Sequence, residues 1–236
     1  MRRLHAAGLQ DVTIQRPYRN VVARIPGRLS GTVVVGAHYD TKDIPGFVGA
    51  NDGASGVAVV LELARDLPAR LDGPSIDLVL FDAEESPRGS SFSSGGDRGS
   101  DQFVTYARRG GRQGSPPLGQ IRAMALFDMV GDCDLDVPRE ANSDPRLYGL
   151  FARAAATRSA SGSSKPFAGE AQAILDDHTP FLQAGVPAVD LIDFDYGPGP
   201  SPGAWWHTRR DDLSHVCPQS LGEVGNAALA AVPAIR

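Results

Sequence analysis

The stretch IDLVLFDAEESP, residues 76–87, begins as an apolar run from Ile76 to Phe81 and ends in Asp82, Ala83, Glu84 and Glu85. A short apolar run bounded by polar residues is the pattern of a buried strand. Three carboxylates within four residues at its end need an explanation. Like charges repel, and a carboxylate beside a core loses its hydration. A bound divalent cation would offset both costs.

Working outward, short β-branched runs recur at NVVARI (20–25), TVVVGA (32–37), IRAMALF (121–127) and PAVDLI (187–192). Helical spacing fills the intervals. ASGVAVVLELARDL (54–67) stops at Pro68, and DQFVTYARR (101–109) has the same period. DPRLYGLFARAAATR (144–158) has Asp144 as N-cap and Pro145 at the first helical position; PQSLGEVGNAALAAV (218–232) closes the chain. Strands alternating with helices predict an α/β fold whose sheet is covered on both faces. Three segments read as loops: 86–100, 112–119 and DYGPGPSPGAWWH (195–207).

The 236 residues suit one domain, 1–236, and 42% hydrophobic content supplies a core. A net charge of −5 argues against nucleic acid or an anionic membrane surface as partner. No apolar run is long enough for a membrane span, and the N-terminal MRRLHAAGLQD lacks the apolar centre of a signal peptide, which leaves the compartment open. One disulfide between Cys133 and Cys217 is possible, but their spacing does not argue for it.

In open α/β sheets ligands gather beyond the carboxyl ends of the strands. There the chain places His38 and Asp40 after one run, Glu84 and Glu85 after the next, and Asp128 after IRAMALF. Asp52 precedes the 54–67 helix, and His207 follows the tryptophan-containing loop. Histidines and carboxylates in equivalent places fit a zinc site that keeps a coordination position open. Asp52 alone would equally suit a helix cap. The spacing of G-x-S-x-G is absent, and so is a G-K-[ST] phosphate loop, which argues against a serine hydrolase or a nucleotide-binding loop.

The motifs GAHYDT, GANDGASGVAVVLELAR, FDAEE, FDMVG and WHT..DD, running from about residue 20 to 230, resemble the zinc aminopeptidase and glutaminyl-peptide cyclotransferase superfamily. The resemblance implies a zinc exopeptidase-like three-layer α/β/α sandwich with a central mixed, mostly parallel sheet. It implies Asp52, Glu85 and His207 as zinc ligands, Glu84 as general acid/base, and Asp40 as support for His38. His38 and Asp128 match the extra ligands of a second metal in two-zinc aminopeptidases. The order of Glu84 and Glu85 as base and ligand comes from the resemblance alone.

Three features resemble the animal-type cyclotransferases: LDDHTPFLQAGVPAVDLI (175–192), Trp206 directly before His207, and the long interval between Glu85 and Gly99. On that match Asp176 would hydrogen-bond Asp128, and the pair would contact the substrate amide. Trp206 and Phe92 would wall the pocket; on the aminopeptidase reading one acid, Asp176 or Asp177, would instead hold the substrate's α-ammonium. DLIDFDYGPGP is closer to bacterial members. Flanking N-terminal helices seen in relatives are missing from this chain or were removed. Relatives are often secreted or periplasmic. The substrate implied is a peptide or protein N-terminus. One zinc goes with the cyclotransferase chemistry and two with an aminopeptidase; a non-catalytic zinc-binding module on the same fold is a third alternative. Trp205 pins its loop or joins the pocket. His178 and His215 read as structural, His178 as a cap or support for the next helix, and His5 as exposed.

Overall fold

A computed structural model describes residues 1–158, 165–169 and 172–236. There are six strands: β1 (Val12–Ile14), which no apolar run marks, and β2 (Val21–Ile25), β3 (Thr32–His38), β4 (Ser75–Phe81), β5 (Ile121–Asp128) and β6 (Ala188–Ile192), formed by the five apolar runs. They make one sheet in the order β1-β2-β4-β3-β5-β6. β1, β2 and β4 pair antiparallel, whereas β4, β3, β5 and β6 run parallel. The mixed, mostly parallel sheet that the family resemblance implies is therefore present. β1 is an edge strand of three residues, too short for its alternation to stand out.

The helices are α1 (Arg2–Ala6), α2 (Ala54–Asp66), α3 (Phe92–Gly95), α4 (Arg98–Arg108), α5 (Pro145–Arg158), α6 (Thr179–Gln183) and α7 (Pro218–Ala231). α2, α5 and α7 cover one face of the sheet; α4 and α6 cover the other. On the second face Phe81, Phe103 and Phe181 form a buried aromatic cluster, with Phe81 edge-on to both partners at 6.1 and 6.2 Å. None of the described helices is long and apolar enough to cross a membrane.

Local sequence accounts for most boundaries. Asp144 caps α5 as expected, its carboxylate accepting the Arg146 and Leu147 amides at 2.8 and 3.1 Å. α4 starts at Arg98, three residues before the apolar period begins, so part of the Ser/Gly-rich segment is helical. Tertiary contact overrides composition there. A Cβ on Gly99 would lie 2.0 Å from the Asp82 carbonyl oxygen, and Asn20 bonds both the Gly99 carbonyl and the Asp82 amide. Gly56 has the same office in α2, where a Cβ would meet the Phe127 carbonyl oxygen at 2.0 Å. That close approach brings the start of α2 down onto the ends of β3 and β5.

Cys133 and Cys217 are bonded, with Cα atoms 4.8 Å apart across a separation of 84 residues. Sequence spacing gave no reason for the pairing. It follows from the isolated bridge between Asp132 and Val216, reinforced by the Cys217 amide donating to the Gly131 carbonyl.

Candidate metal centre and substrate pocket

The carboxyl ends of the parallel strands bring the predicted residues together. His38 ends β3, Glu84 and Glu85 follow β4, and Asp128 ends β5. Asp52 arrives from the turn before α2, and His207 from the loop after β6. His38 Nε2 lies 3.2 Å from one oxygen of Asp52 and 3.2 Å from Asp128. His207 Nε2 lies 3.3 Å from the other Asp52 oxygen and 3.3 Å from Glu85. Asp52 thus joins two trios, His38–Asp52–Asp128 and Asp52–Glu85–His207. In each, ligand-type atoms fall within 4.8 Å of one another.

These donors fit a metal. Asp52 Oδ2 and Glu85 Oε1 are buried without a hydrogen-bond partner, a condition native structures rarely leave unexplained. One imidazole nitrogen and two carboxylate oxygens form a donor set that suits zinc and leaves a coordination position open. Proton placement shows the same demand for positive charge. Burial alone would lower the His207 imidazole, but the Asp52 and Glu85 carboxylates 3.3 Å away push it up to about 9. His38 is likewise raised well above its ordinary value against its own burial, chiefly by Asp128 and Glu84. Burial opposes ionisation of Asp52, yet the close approach of the His207 and His38 imidazoles holds its carboxyl below the usual range.

The backbone around the two glutamates is fixed from several sides. Asp40 accepts the amides of both Glu84 and Glu85 at 3.2 Å. The Glu84 carbonyl accepts the Asp97 amide, and the Glu85 carbonyl accepts the Arg98 guanidinium. Support for His38 was the expected role of Asp40. At 3.7 Å from Nδ1 it is beyond hydrogen-bond length, and its oxygens serve the acid pair. Ala83, Met129 and His207 have φ of 59°, 49° and 53°. Left-handed backbone at three non-glycine residues flanking or forming one site is strain of the kind that gathers at functional sites.

Glu84 contributes to neither trio. Burial raises its carboxyl well above the ordinary range; Glu85, Asp177 and Asp128 add to this and His38 opposes it. Its side chain faces a cavity of about 390 Å³, whose lining includes Asp128, Asp176, Phe92 and Trp206 together with the Asp52–Glu85–His207 trio. Trp206 stacks on His207 at 3.7 Å, and Phe194 meets Trp206 edge-on at 5.5 Å. Trp205 instead stacks on His215 and packs against Tyr196, pinning the loop. Phe92 comes from α3, inside the segment between Glu85 and Gly99.

Two expectations need correction. The Asp176–Asp128 hydrogen bond is not made. One Asp176 oxygen accepts the Asp177 amide and the other has no partner, while Asp128 is bonded to His38. Asp177 does not line the cavity; it is fully buried behind it, next to Asp97 and Ser100.

Three residues that serve the site went unassigned in the sequence. Lys42 donates to Glu85 Oε2 at 2.8 Å and to the Ser86 hydroxyl at 2.9 Å, which leaves Glu85 Oε1 free to face His207. Asp211 accepts the amides of Asn51 and Asp52 and the Tyr196 hydroxyl. Glu140 is buried beneath the pocket wall. Asp211 stands in the WHT..DD motif, and Lys42 is one of only two lysines. Glu140 carries no local signal.

Residues 20–232 match peptidase family M28. Glutaminyl-peptide cyclotransferases of Bothrops jararaca and Bos taurus are 28% and 27% identical over 85% of this chain. The chain spans about three fifths of the length of these curated relatives, 61% and 62%. Among solved structures, a glutaminyl cyclase from an Acidobacteriales bacterium superposes with a TM-score of 0.83 at 34% identity, covering 99% of this chain and 82% of the other. A leucine aminopeptidase precursor from Bacteroides thetaiotaomicron gives a TM-score of 0.75 at 25% identity over 98% and 85% of the two chains.

Proposed function

Because the chain belongs to peptidase family M28, we propose that it is a zinc-dependent glutaminyl-peptide cyclotransferase, converting an N-terminal glutamine to pyroglutamate with release of ammonia. The observation that carries this reading is the cavity itself. Phe92, from the long segment after the glutamate pair, and Trp206 both line it, and Asp176 stands in its wall with a carboxylate oxygen unengaged. The Acidobacteriales cyclase likeness supports it.

Asp52, Glu85 and His207 would hold the zinc. Zinc bound there supplies Lewis-acid polarisation of a carbonyl oxygen. The chain's own groups do the rest. The α-amine of the substrate attacks its own γ-carbonyl carbon. Glu84 takes the proton lost by that amine and returns it to the departing nitrogen, which leaves as ammonia. A carboxyl raised by burial is suited to both transfers. Asp176 and Asp128 hold the amide nitrogen, and Phe92 and Trp206 keep water from competing. Attack within one residue makes orientation by the pocket walls a large part of the rate.

The sharing of Asp52 between two trios favours a second reading, a two-zinc aminopeptidase with His38 and Asp128 completing the second site. One comparison separates them. The protein is incubated with a Gln-initiated peptide and with leucine p-nitroanilide, and its zinc is counted. Ammonia release without nitroaniline, at about one zinc per chain, is the expected result. Nitroaniline release with about two zinc would reverse the assignment.

Metal affinity should rise with pH. In the metal-free protein His207 holds its proton up to about pH 9, and a zinc ligand must give that proton up. Competition with a chromophoric chelator should therefore show affinity increasing about tenfold per pH unit for each proton displaced, levelling above about pH 9. A flat profile from about pH 6 to 8 would remove His207 from the ligand set.

A further inference from the structure

A second group of buried titratable side chains lies under the pocket wall and takes no part in the reaction described. Glu140, His178 and Asp190 are 1%, 0% and 0% exposed and come from three separate segments: the connection after β5, the entry to α6, and β6. His178 Nε2 stands 3.3 Å from Glu140 Oε2, while Nδ1 stands 3.6 Å from Asp190 Oδ2, beyond hydrogen-bond length. Among the described residues neither ring nitrogen and neither Asp190 oxygen has a hydrogen-bond partner, so the group is held by close packing of charge and ring. Burying such groups is costly unless they compensate one another, so an arrangement of this kind calls for a reason beyond filling space.

Its connections supply the reason. Glu140 Oε1 accepts the amide of Ile174, a residue of the cavity wall, at 3.2 Å. Glu140 Oε2 accepts the Ser143 hydroxyl at 2.9 Å, and the same hydroxyl oxygen accepts the Asp190 amide at 2.9 Å. On the sheet, Asp190 pairs with Leu126 and so lies on the face that also carries Asp128. His178 follows Asp176 by two residues. Asp176 Oδ1 is occupied by the Asp177 amide and Oδ2 has no partner. The Asp177 amide sets the plane of the Asp176 carboxylate through Oδ1, and Thr179 bonds the Asp176 backbone, so where Oδ2 points depends on how the whole 174–179 segment is seated.

We propose that His178 is a positioning residue: packed against Glu140 with Asp190 on the other side of its ring, it keeps the Ile174–Asp177 segment against the sheet and so aims Asp176 into the pocket. The catalytic half of this inference rests on the role given to Asp176 above.

The test compares His178→Gln, Glu140→Gln and the double variant in the zinc-loaded full chain. For His178→Gln, kcat on a Gln-initiated peptide should fall about 10- to 100-fold, the scale of a slightly misplaced group. KM should move less than about threefold and zinc per chain should not change. Amide hydrogen exchange across residues 172–178 should accelerate about tenfold. The double variant should be no worse than the poorer single one, because both act through one contact. A kcat within about twofold of wild type, single effects that multiply, or unchanged exchange would each overturn the proposal. If His178→Gln does not fold, Ser143→Ala removes the hydroxyl joining Glu140 to Asp190. A loss of about 3- to 10-fold in kcat is then expected, and wild-type kcat overturns the proposal. Exchange needs no turnover. Faster exchange in a protein whose wild type releases no ammonia would support the positioning and refute the reaction.

Discussion

Replacing Glu84 with glutamine should leave zinc content at the wild-type level and lower kcat about 100- to 10,000-fold, the range ascribed to a positioned general acid/base. The two halves of this expectation have separate grounds. Zinc stays because Glu84 is outside the Asp52–Glu85–His207 trio. Glutamine keeps the size of the side chain, and Asp40, which receives the Glu84 and Glu85 amides, continues to hold the backbone. Turnover falls because glutamine cannot accept a proton from the attacking amine or return one to the leaving nitrogen. Steady-state kinetics with zinc analysis on the same preparation decides it. A kcat within about threefold of wild type would take Glu84 out of the mechanism, and loss of zinc would make it a ligand.

Asp52→Asn should have the larger effect on the metal. Asp52 is the one carboxylate common to both trios, with one oxygen toward His38 and the other toward His207. Zinc affinity should drop by more than about 100-fold, beyond the range seen when only an outer support of a ligand is lost, and activity should follow occupancy. The metal-free variant should also melt lower than the metal-free wild type at pH 7. Burial disfavours the Asp52 charge, but His207 and His38 more than compensate and hold its pKa below the unfolded value. A depressed carboxyl stabilises the fold above the unfolded pKa, near 4, and loses that contribution as pH falls toward the folded value. The melting difference should therefore be full at pH 7 and shrink in acid. An equal difference at about pH 3 and pH 7 would point to packing instead of charge.

The framework of this site was legible because its residues stand at strand ends, so the apolar runs that mark the strands also mark where the site residues fall. His38, Glu84, Glu85 and Asp128 each follow an apolar run that is itself easy to read. What the sequence concealed falls into two kinds. Lys42 and Asp211 act on the ligands through contacts spanning 43 and 159 residues or more of chain, and nothing near them in sequence marks the partner. Glu140, His178 and Asp190 look like an ordinary turn acid, a helix-entry histidine and a strand residue; only burial in a common space makes them a unit. Asp176 shows the limit from the other side. Its place at the pocket was legible from DDH, but its bonding was not: Asp176 takes the neighbouring Asp177 amide and Asp128 takes His38. The segment 86–100 misled by composition, since Gly99 and Ser100 serve close packing inside a helix.

The bond between Cys133 and Cys217 bears on how the molecule would survive damage. A protease cut anywhere from residue 134 to 206 would divide the chain into one piece carrying Asp52, Glu85 and Asp128 and another carrying His207. The sulfur bridge spans that whole interval, so the pieces would remain a single covalent molecule with every donor of the metal centre aboard. Such a nicked protein would run as one band on electrophoresis without reductant and as two with it.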